Sequence, residues 1–156
     1  MDKDSLKYLA KLAEECEDFE DMRDYVKQFI VMSEMEISTD ERNMLVMAYK
    51  KCMSQKRKQW KTYKKLERQE RSKMQQKNCN KVSEFRKKVE DELQDLCTDL
   101  FSFLRKTVVP RCKDQENIIF FKKLHAHFLR YQSEFLTGTT GNKAAQDCQV
   151  AYQEAL

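Results

Sequence analysis

The fold is decided by Ser38–Glu70, STDERNMLVMAYKKCMSQKRKQWKTYKKLERQE. Leu45, Ala48, Tyr49, Cys52, Trp60, Tyr63 and Leu66 recur in it at three- and four-residue spacing, which marks the dry face of one long helix from about 39 to 70. Ser38-Thr-Asp-Glu41 reads as a capping box, in which the Ser38 hydroxyl accepts the N–H three residues on and Glu41 reaches back. No glycine or proline interrupts the stretch, and the whole chain of 156 residues holds only Gly138, Gly141 and Pro110. An all-β fold needs many turn residues, and they are missing.

Working outward, Leu6, Leu9, Leu12, Ala13 and Cys16 repeat the helical spacing on the N-terminal side, and Phe19, Met22, Tyr25, Val26, Phe29 and Ile30 repeat it again. On the other side, residues 71–80 are polar and read as a loop or helix end. A fourth helix is predicted from about 81 to 108 through Val82, Phe85, Val89, Leu93, Leu96, Leu100 and Leu104, stopped by Pro110. A fifth opens near Asp114-Gln-Glu116, whose acids favour a helix N-terminus, and carries Ile118, Phe121, Leu124, Phe128, Tyr131 and Phe135. Thr137–Gly141 reads as a loop, and a sixth helix begins near Lys143 and runs to Leu156 without a stop signal. The prediction is an all-α antiparallel bundle forming a single domain over 1–156, cut within its sixth helix.

Composition narrows the class further. Charged residues are 36% and hydrophobic ones 40%, which suits amphipathic helices with one wet and one dry face. No apolar run approaches the ~20 residues of a membrane span, and Met1-Asp-Lys-Asp-Ser5 lacks the layout of a signal peptide. No membrane partner and a cytoplasmic location are therefore expected. Cys16, Cys52, Cys79, Cys97, Cys112 and Cys148 form no CxxC pair and read as reduced, mostly buried thiols. His125 and His127, two apart on a helix, point to opposite sides and do not suit a metal site. No nucleophile–base pair, Gly-rich phosphate loop or metal set is present, so neither an enzyme nor a cofactor is expected.

Charge is distributed unevenly. Lys50–Lys73 holds eleven Lys or Arg against two Glu, although the net charge of the chain is only +4. Lys50 and Arg57 are seven apart, which returns a helix to within ~20° of its starting direction, so they share a stripe. Lys123 and Arg130 repeat that spacing on the fifth helix, with Tyr131 beside them. Two such helices side by side would aim two Arg forks, two Lys charges and a phenol into one concavity, a donor set suited to a phosphate monoester. Lys and Arg at helical spacing are usually a solvated helix face, and spacing alone does not displace that reading. Lys58, Lys61, Lys64, Lys65 and Arg68 are assigned to that wet face.

Arg42-Asn-Met-Leu-Val-Met-Ala-Tyr-Lys-Lys51 is similar to RNLLSVAYKN, the first signature of the 14-3-3 family. Met1-Asp-Lys3, Leu12-Ala-Glu14, Trp60, Glu92-Leu93, Cys97, Arg130-Tyr131 with Glu134, and Ala151-Tyr-Gln-Glu-Ala155 also sit where that family has them. The resemblance spans essentially the whole chain, with one extra residue near the second helix. It implies a dimer of cup-shaped all-helical protomers that bind phosphoserine or phosphothreonine segments of other proteins. It further implies Lys50, Arg57, Arg130 and Tyr131 as phosphate ligands and Lys123 as a further base of the same groove.

Other consequences follow from the resemblance alone. Residues 1–33 would be dimerisation helices, and Leu12, Cys16, Asp18, Asp21, Phe85, Lys88 and Glu92 would lie in the interface, with a homo- or heterodimer of such protomers as the assembly. Of three expected ion pairs between protomers, Asp21–Lys88 is retained, Ser5 replaces the acid opposite Lys77, and Asp18 replaces a base opposite Glu92. A weakened homodimer is expected. The chain departs from the family at His127, which replaces an acid, and at Gln59, which replaces a regulatory serine. Three further helices, with an Asn that holds the bound peptide and the groove's apolar wall, are not in the sequence. Phe120, Phe121, Leu129 and Phe135 are therefore expected to include exposed side chains, and phosphopeptide binding is expected to be weak. The alternatives are a fragment that only dimerises and a nucleic-acid binder using residues 50–73. Single-strand binding wants free stacking aromatics, and Trp60 and Tyr63 sit at core spacing, so no nucleic-acid partner is expected.

Overall fold

The computed structural model describes residues 1–33, 35–136, 150, 153 and 154. Among these described residues five α-helices follow one another: α1 (Lys3–Glu15), α2 (Phe19–Met32), α3 (Thr39–Ser72), α4 (Gln76–Phe103) and α5 (Gln115–Phe135). A π-helical segment (Leu104–Val108) and a 3-10 turn (Val109–Arg111) join the last two, and no strand occurs among the described residues. The predicted loop at 137–141 and most of the predicted sixth helix lie outside the described residues, as does Cys148.

Each helix starts on a side chain or turn that its own sequence supplies. Asp2, Asp18, Ser38 and Asp114 accept backbone N–H groups at the starts of α1, α2, α3 and α5. The ends are more unusual. After α1, Glu17 takes a positive φ of 57°, and Asp18 N–H reaches Ala13 O at 2.9 Å. After α3, Met74 takes φ 58°, and Gln75 N–H reaches Glu70 O at 3.0 Å. Both are Schellman closures with a non-glycine residue in the left-handed position, where a Cβ costs ~1–2 kcal/mol.

Met74 corrects the expectation of a loop at 71–80. The break is only Lys73–Gln75, and α4 already begins at Gln76. The predicted helix to 108 is corrected too: α-helical bonding ends at Phe103, the chain continues as the wider π-helical segment, and Pro110 lies inside the 3-10 turn. Arg111 then donates to the carbonyls of Ile30, Ser33 and Val31, closing the open C-terminal end of α2. The capping box is half formed. Glu41 N–H donates to Ser38 Oγ at 3.2 Å, but the Glu41 carboxylate turns to Lys3 (3.0 Å) and Lys7 (3.6 Å) of α1. Two ammonium charges hold a nearly buried carboxylate better than one neutral N–H does.

The core runs through all five helices, with Met22, Phe29, Leu45, Tyr49, Leu93, Leu100, Phe121 and Phe128 essentially out of solvent. Phe121, Leu129 and Phe135 are buried, and Phe120 is half-buried, so the expected exposed patch on α5 is corrected. The large exposed apolar side chains are instead on other helices and loops, including Tyr8 and Leu12 on α1 and Phe85 on α4. Cys52, Cys79, Cys97 and Cys112 are buried free thiols, whereas Cys16 is exposed.

α3 spans 34 residues. Its N-terminal half is anchored at Met44, Leu45, Ala48, Tyr49, Cys52 and Met53, and only Trp60 of the later residues is buried. Trp60 Nε1 donates to Glu90 at 2.9 Å, and Arg86 bridges Glu90 (2.6 Å) and Glu67 (2.5 Å), so an ionic chain ties α3 to α4. Deeper in, the Tyr49 hydroxyl donates to Asp99 at 2.6 Å, and Lys27 of α2 meets the same carboxylate at 2.5 Å. These contacts fix the rotation of α3, and with it the direction in which Lys50 and Arg57 point.

Candidate phosphate site between the third and fifth helices

α3 and α5 present their basic stripes to the same side of the bundle. Tyr131 is the pivot. Its ring packs edge-on against Phe128 (5.6 Å between centroids), which in turn meets the buried Tyr49 (6.5 Å). The phenol is thus seated on the core, and its half-buried ring carries cations above it. The Arg57 guanidinium carbon stands 4.4 Å from the Tyr131 centroid and that of Arg130 stands 5.8 Å away. Arg57 is held further by Glu134, which accepts from Nε at 3.0 Å and from Nη2 at 2.6 Å. One carboxylate oxygen takes both donors, which orients the guanidinium.

Lys50 and Lys123 extend the cluster. Together with Val46, Phe120, Leu124 and His127 they line a hollow of about 170 Å³. Lys50, Lys123 and Arg130 are exposed, and Arg57 is partly covered. The structure therefore brings all five predicted residues, Lys50, Arg57, Lys123, Arg130 and Tyr131, to one face shared by two helices. The wet-face assignment also fits: Lys58, Lys61, Lys64, Lys65 and Arg68 are all exposed. Of the nearby aromatics, Trp60 is buried and hydrogen-bonded, and Tyr63 has one face stacked on Phe85 at 6.2 Å and 14°.

Two residues of this face were named in the sequence reading only for likeness to or departure from the family, without a partner or site role. Glu134 is the partner of Arg57, and His127 meets Tyr131 edge-on at 5.2 Å. The signal was available as one stripe on α5, because 123, 127, 130, 131 and 134 follow three- and four-residue spacing. His125 points elsewhere, against Phe101 at 4.5 Å. Burial, then the charges of Arg130, Lys50 and Arg57, push the His127 imidazole below its ordinary value of 6.5. Among the described residues no group of His, Cys, Asp and Glu is arranged to hold a metal, and no helix is long and apolar enough to cross a membrane.

The residues assigned to a dimer interface are also placed. Leu12, Cys16, Asp18, Asp21, Phe85 and Lys88 are exposed on α1, α2, α4 and the turn between α1 and α2. Glu92 differs: Lys56 of the same chain holds it at 3.1 Å while also holding Glu20 at 3.1 Å. Asp18 accepts the Asp21 N–H at 3.2 Å and so has a capping role of its own.

The model of the family described as 14-3-3 protein matches residues 9–156. The chain is 36% identical over 148 residues to the checkpoint signal transducer rad25 of Schizosaccharomyces pombe, covering 95% of this chain and 54% of that protein. It is 36% identical over 153 residues to 14-3-3 protein I of Plasmodium falciparum, covering 95% of this chain and 58% of that one. Against 14-3-3 protein zeta of Bombyx mori it is 34% identical over 156 residues, all of this chain and 62% of the relative. It therefore spans little more than half the length of these curated relatives. A family match over nearly its whole length, on an all-helical frame that gathers the expected cations on one face, makes this chain a member of the 14-3-3 family.

Proposed function

We propose that the chain is an adaptor that binds phosphoserine- or phosphothreonine-containing segments of other proteins, with Lys50, Arg57, Lys123, Arg130 and Tyr131 as the phosphate-binding residues. The observation that carries this reading is the Arg57–Tyr131–Arg130 arrangement, in which two guanidinium groups stand over a phenol ring seated on the core. Arg forks match phosphate oxygens in pairs, and their cost of ordering is already met by Glu134 and the Tyr131 ring. An unmodified serine brings no charge, whereas its phosphate brings about −1.5 to −2 at neutral pH. Discrimination rests on that difference. The role is binding rather than catalysis, and its setting is signalling in the cytoplasm.

Pairing of protomers belongs to the same proposal. Residues 1–33 supply the dimerisation helices, and the exposed Leu12 and Phe85 supply apolar area that water would otherwise cover. Leu12, Cys16, Asp18, Asp21, Phe85, Lys88 and Glu92 are the proposed contacts, in a homodimer or with a related protomer. Lys56 offsets the charge of Glu92, which softens the repulsion that Asp18 would otherwise meet.

Isothermal titration calorimetry with a phosphoserine peptide and its unphosphorylated twin tests the proposal. The phosphorylated peptide should bind at one site per chain, at least about tenfold more tightly, with the excess affinity fading as salt is added. Equal affinity for the two peptides would remove the phosphate-site reading. Tighter binding to a random oligonucleotide than to the phosphopeptide would move the basic stretch 50–73 to a nucleic-acid role.

A further inference from the structure

His127 stands in the middle of the cationic stripe. Lys123 lies one turn before it on α5, Arg130 and Tyr131 one turn after, and Glu134 two turns after. Its ring touches the Tyr131 ring edge-on, and it lines the same hollow as Lys50 and Lys123. Charged and titratable groups around it among the described residues include Lys50 and Arg57 from α3, and Lys123, Arg130, Tyr131 and Glu134 from α5. Glu134 is already engaged by Arg57, so positive charge dominates. A half-buried imidazole in such company gives up its proton more readily than one in water, and near neutral pH it stands neutral while the groove is empty.

Entry of a dianion reverses that balance. We propose that His127 takes a proton from solvent when a phosphate monoester enters the Lys50–Arg57–Arg130 cluster, and so becomes a further cationic donor to it. The inference rests on the phosphate-site reading above and adds a specificity-determining residue to it. No covalent bond changes; one proton moves from buffer to imidazole, and the added positive charge is present only while the phosphate is. A lysine at this position would hold its charge in the empty groove as well. Histidine makes the extra charge conditional on a doubly charged ligand, which sharpens discrimination against singly charged carboxylates. Between the empty-site and bound-site titration midpoints, affinity rises as pH falls, until protonation of the phosphate itself near ~6 opposes it.

The chain has only two histidines, so their imidazole C–H resonances can be followed by NMR through a pH titration. The full chain is titrated alone, with saturating phosphoserine peptide, and with the unphosphorylated twin, and His127→Gln assigns the two signals. The expected result is one midpoint below the usual ~6.5 in the free chain that rises by about a unit or more with the phosphorylated peptide only. The His125 midpoint should stay in place. In parallel, the wild-type chain should gain roughly three- to tenfold in affinity over His127→Gln as the pH is lowered from about 8 to about 6.5. If the phosphopeptide binds and the His127 midpoint does not move, this inference is overturned while the phosphate site stands. If neither peptide binds, the phosphate-site reading falls and takes this one with it.

Discussion

Reversing the charge of Arg57 should separate a built phosphate site from a diffuse basic surface. In the structure Arg57 presents a fork fixed by Glu134 and by the Tyr131 face. Hydrogen bonds to charged groups contribute ~1.5–3 kcal/mol each, so loss of the fork alone, as in Arg57→Gln, should weaken phosphopeptide binding roughly 10- to 100-fold. Arg57→Glu adds a repelling carboxylate beside a dianion. At about 6 Å and an effective dielectric near 20 the repulsion is ~5 kcal/mol, to be roughly halved because about a quarter of the Arg57 side chain is in solvent. Together the two effects amount to ~4–6 kcal/mol, a loss of about 10³-fold or more that leaves no measurable preference for phosphate. Lys65 is the matched control. It lies eight residues further along α3, about 12 Å at 1.5 Å per residue, and is exposed. That exceeds the screening length of ~8 Å at physiological salt, so Lys65→Glu should change affinity by no more than about twofold. Fluorescence anisotropy with a labelled phosphoserine peptide reads all three variants, and circular dichroism confirms that each is folded. If Lys65→Glu weakens binding as much as Arg57→Glu does, net charge and not the Arg57 fork governs binding, and the reasoning is wrong.

Other consequences are independent of the ligand. Met74→Gly should raise stability by about 0.5–1 kcal/mol in a urea melt, because it relieves a left-handed Cβ penalty larger than the entropy glycine adds to the unfolded chain; a loss of stability would mean that Met74 is not in that conformation. Glu36 accepts the N–H groups of Lys113 and Asp114 at 3.0 Å each, and these bonds hold its carboxyl below the ordinary 4.5. Its folded pKa is depressed, so its contribution is present above 4.5 and is lost as pH falls through the lower folded value. Glu36→Gln should thus destabilise the chain at neutral pH and less so in acid, as read by thermal melts across that range. Asp18→Asn keeps a capping oxygen for α2 and removes one acid from the proposed interface. Sedimentation equilibrium should show a homodimer tightened by up to about 1 kcal/mol, and no change would mean that Asp18 faces no like charge across the dimer.

Much of the fold was legible because the chain marks its helices by periodicity and caps. Ser38 and Asp114 accept N–H groups where the reading opened α3 and α5, the caps at Asp2 and Asp18 came only with the structure, and the buried positions of α3 follow the spacing of Leu45, Ala48, Tyr49, Cys52 and Trp60. The end of α3 was read to within two residues, but the tightness of the closure between it and α4 was not legible, for a physical reason. Such closures are normally flagged by glycine, and here Met74 and Glu17 take the left-handed position with their Cβ atoms in place. The turn to π-helix at Leu104 carries no composition signal either, and Pro110 misled because proline is tolerated at the start of a short helical turn. Glu41 showed that a local motif yields to charges that only the tertiary fold brings near, Lys3 and Lys7.

The site was legible by stripe but not by partner. Seven-residue spacing named Lys50, Arg57, Lys123 and Arg130, since a helix repeats its direction at that interval. Which cations are oriented and which merely exposed depends on contacts across helices. The Glu134 carboxylate on Arg57 and the Tyr131 ring beneath it come from α5, seventy-odd residues away in sequence. The expected exposed patch at Phe121, Leu129 and Phe135 failed for the related reason that burial is set by what packs against α5, which the periodicity of α5 alone does not reveal.

Amide NMR of the labelled full chain reads out where phosphate is recognised, which should be the face shared by α3 and α5. Shifts caused by a phosphoserine peptide, less those caused by its unphosphorylated twin, should cluster at 50–57 on α3 and 123–134 on α5. The C-terminal half of α3, including the exposed Lys61, Lys64, Lys65 and Arg68, should stay still. Phosphate-dependent shifts spread along residues 58–73, with Arg57, Arg130 and Tyr131 unmoved, would contradict the account.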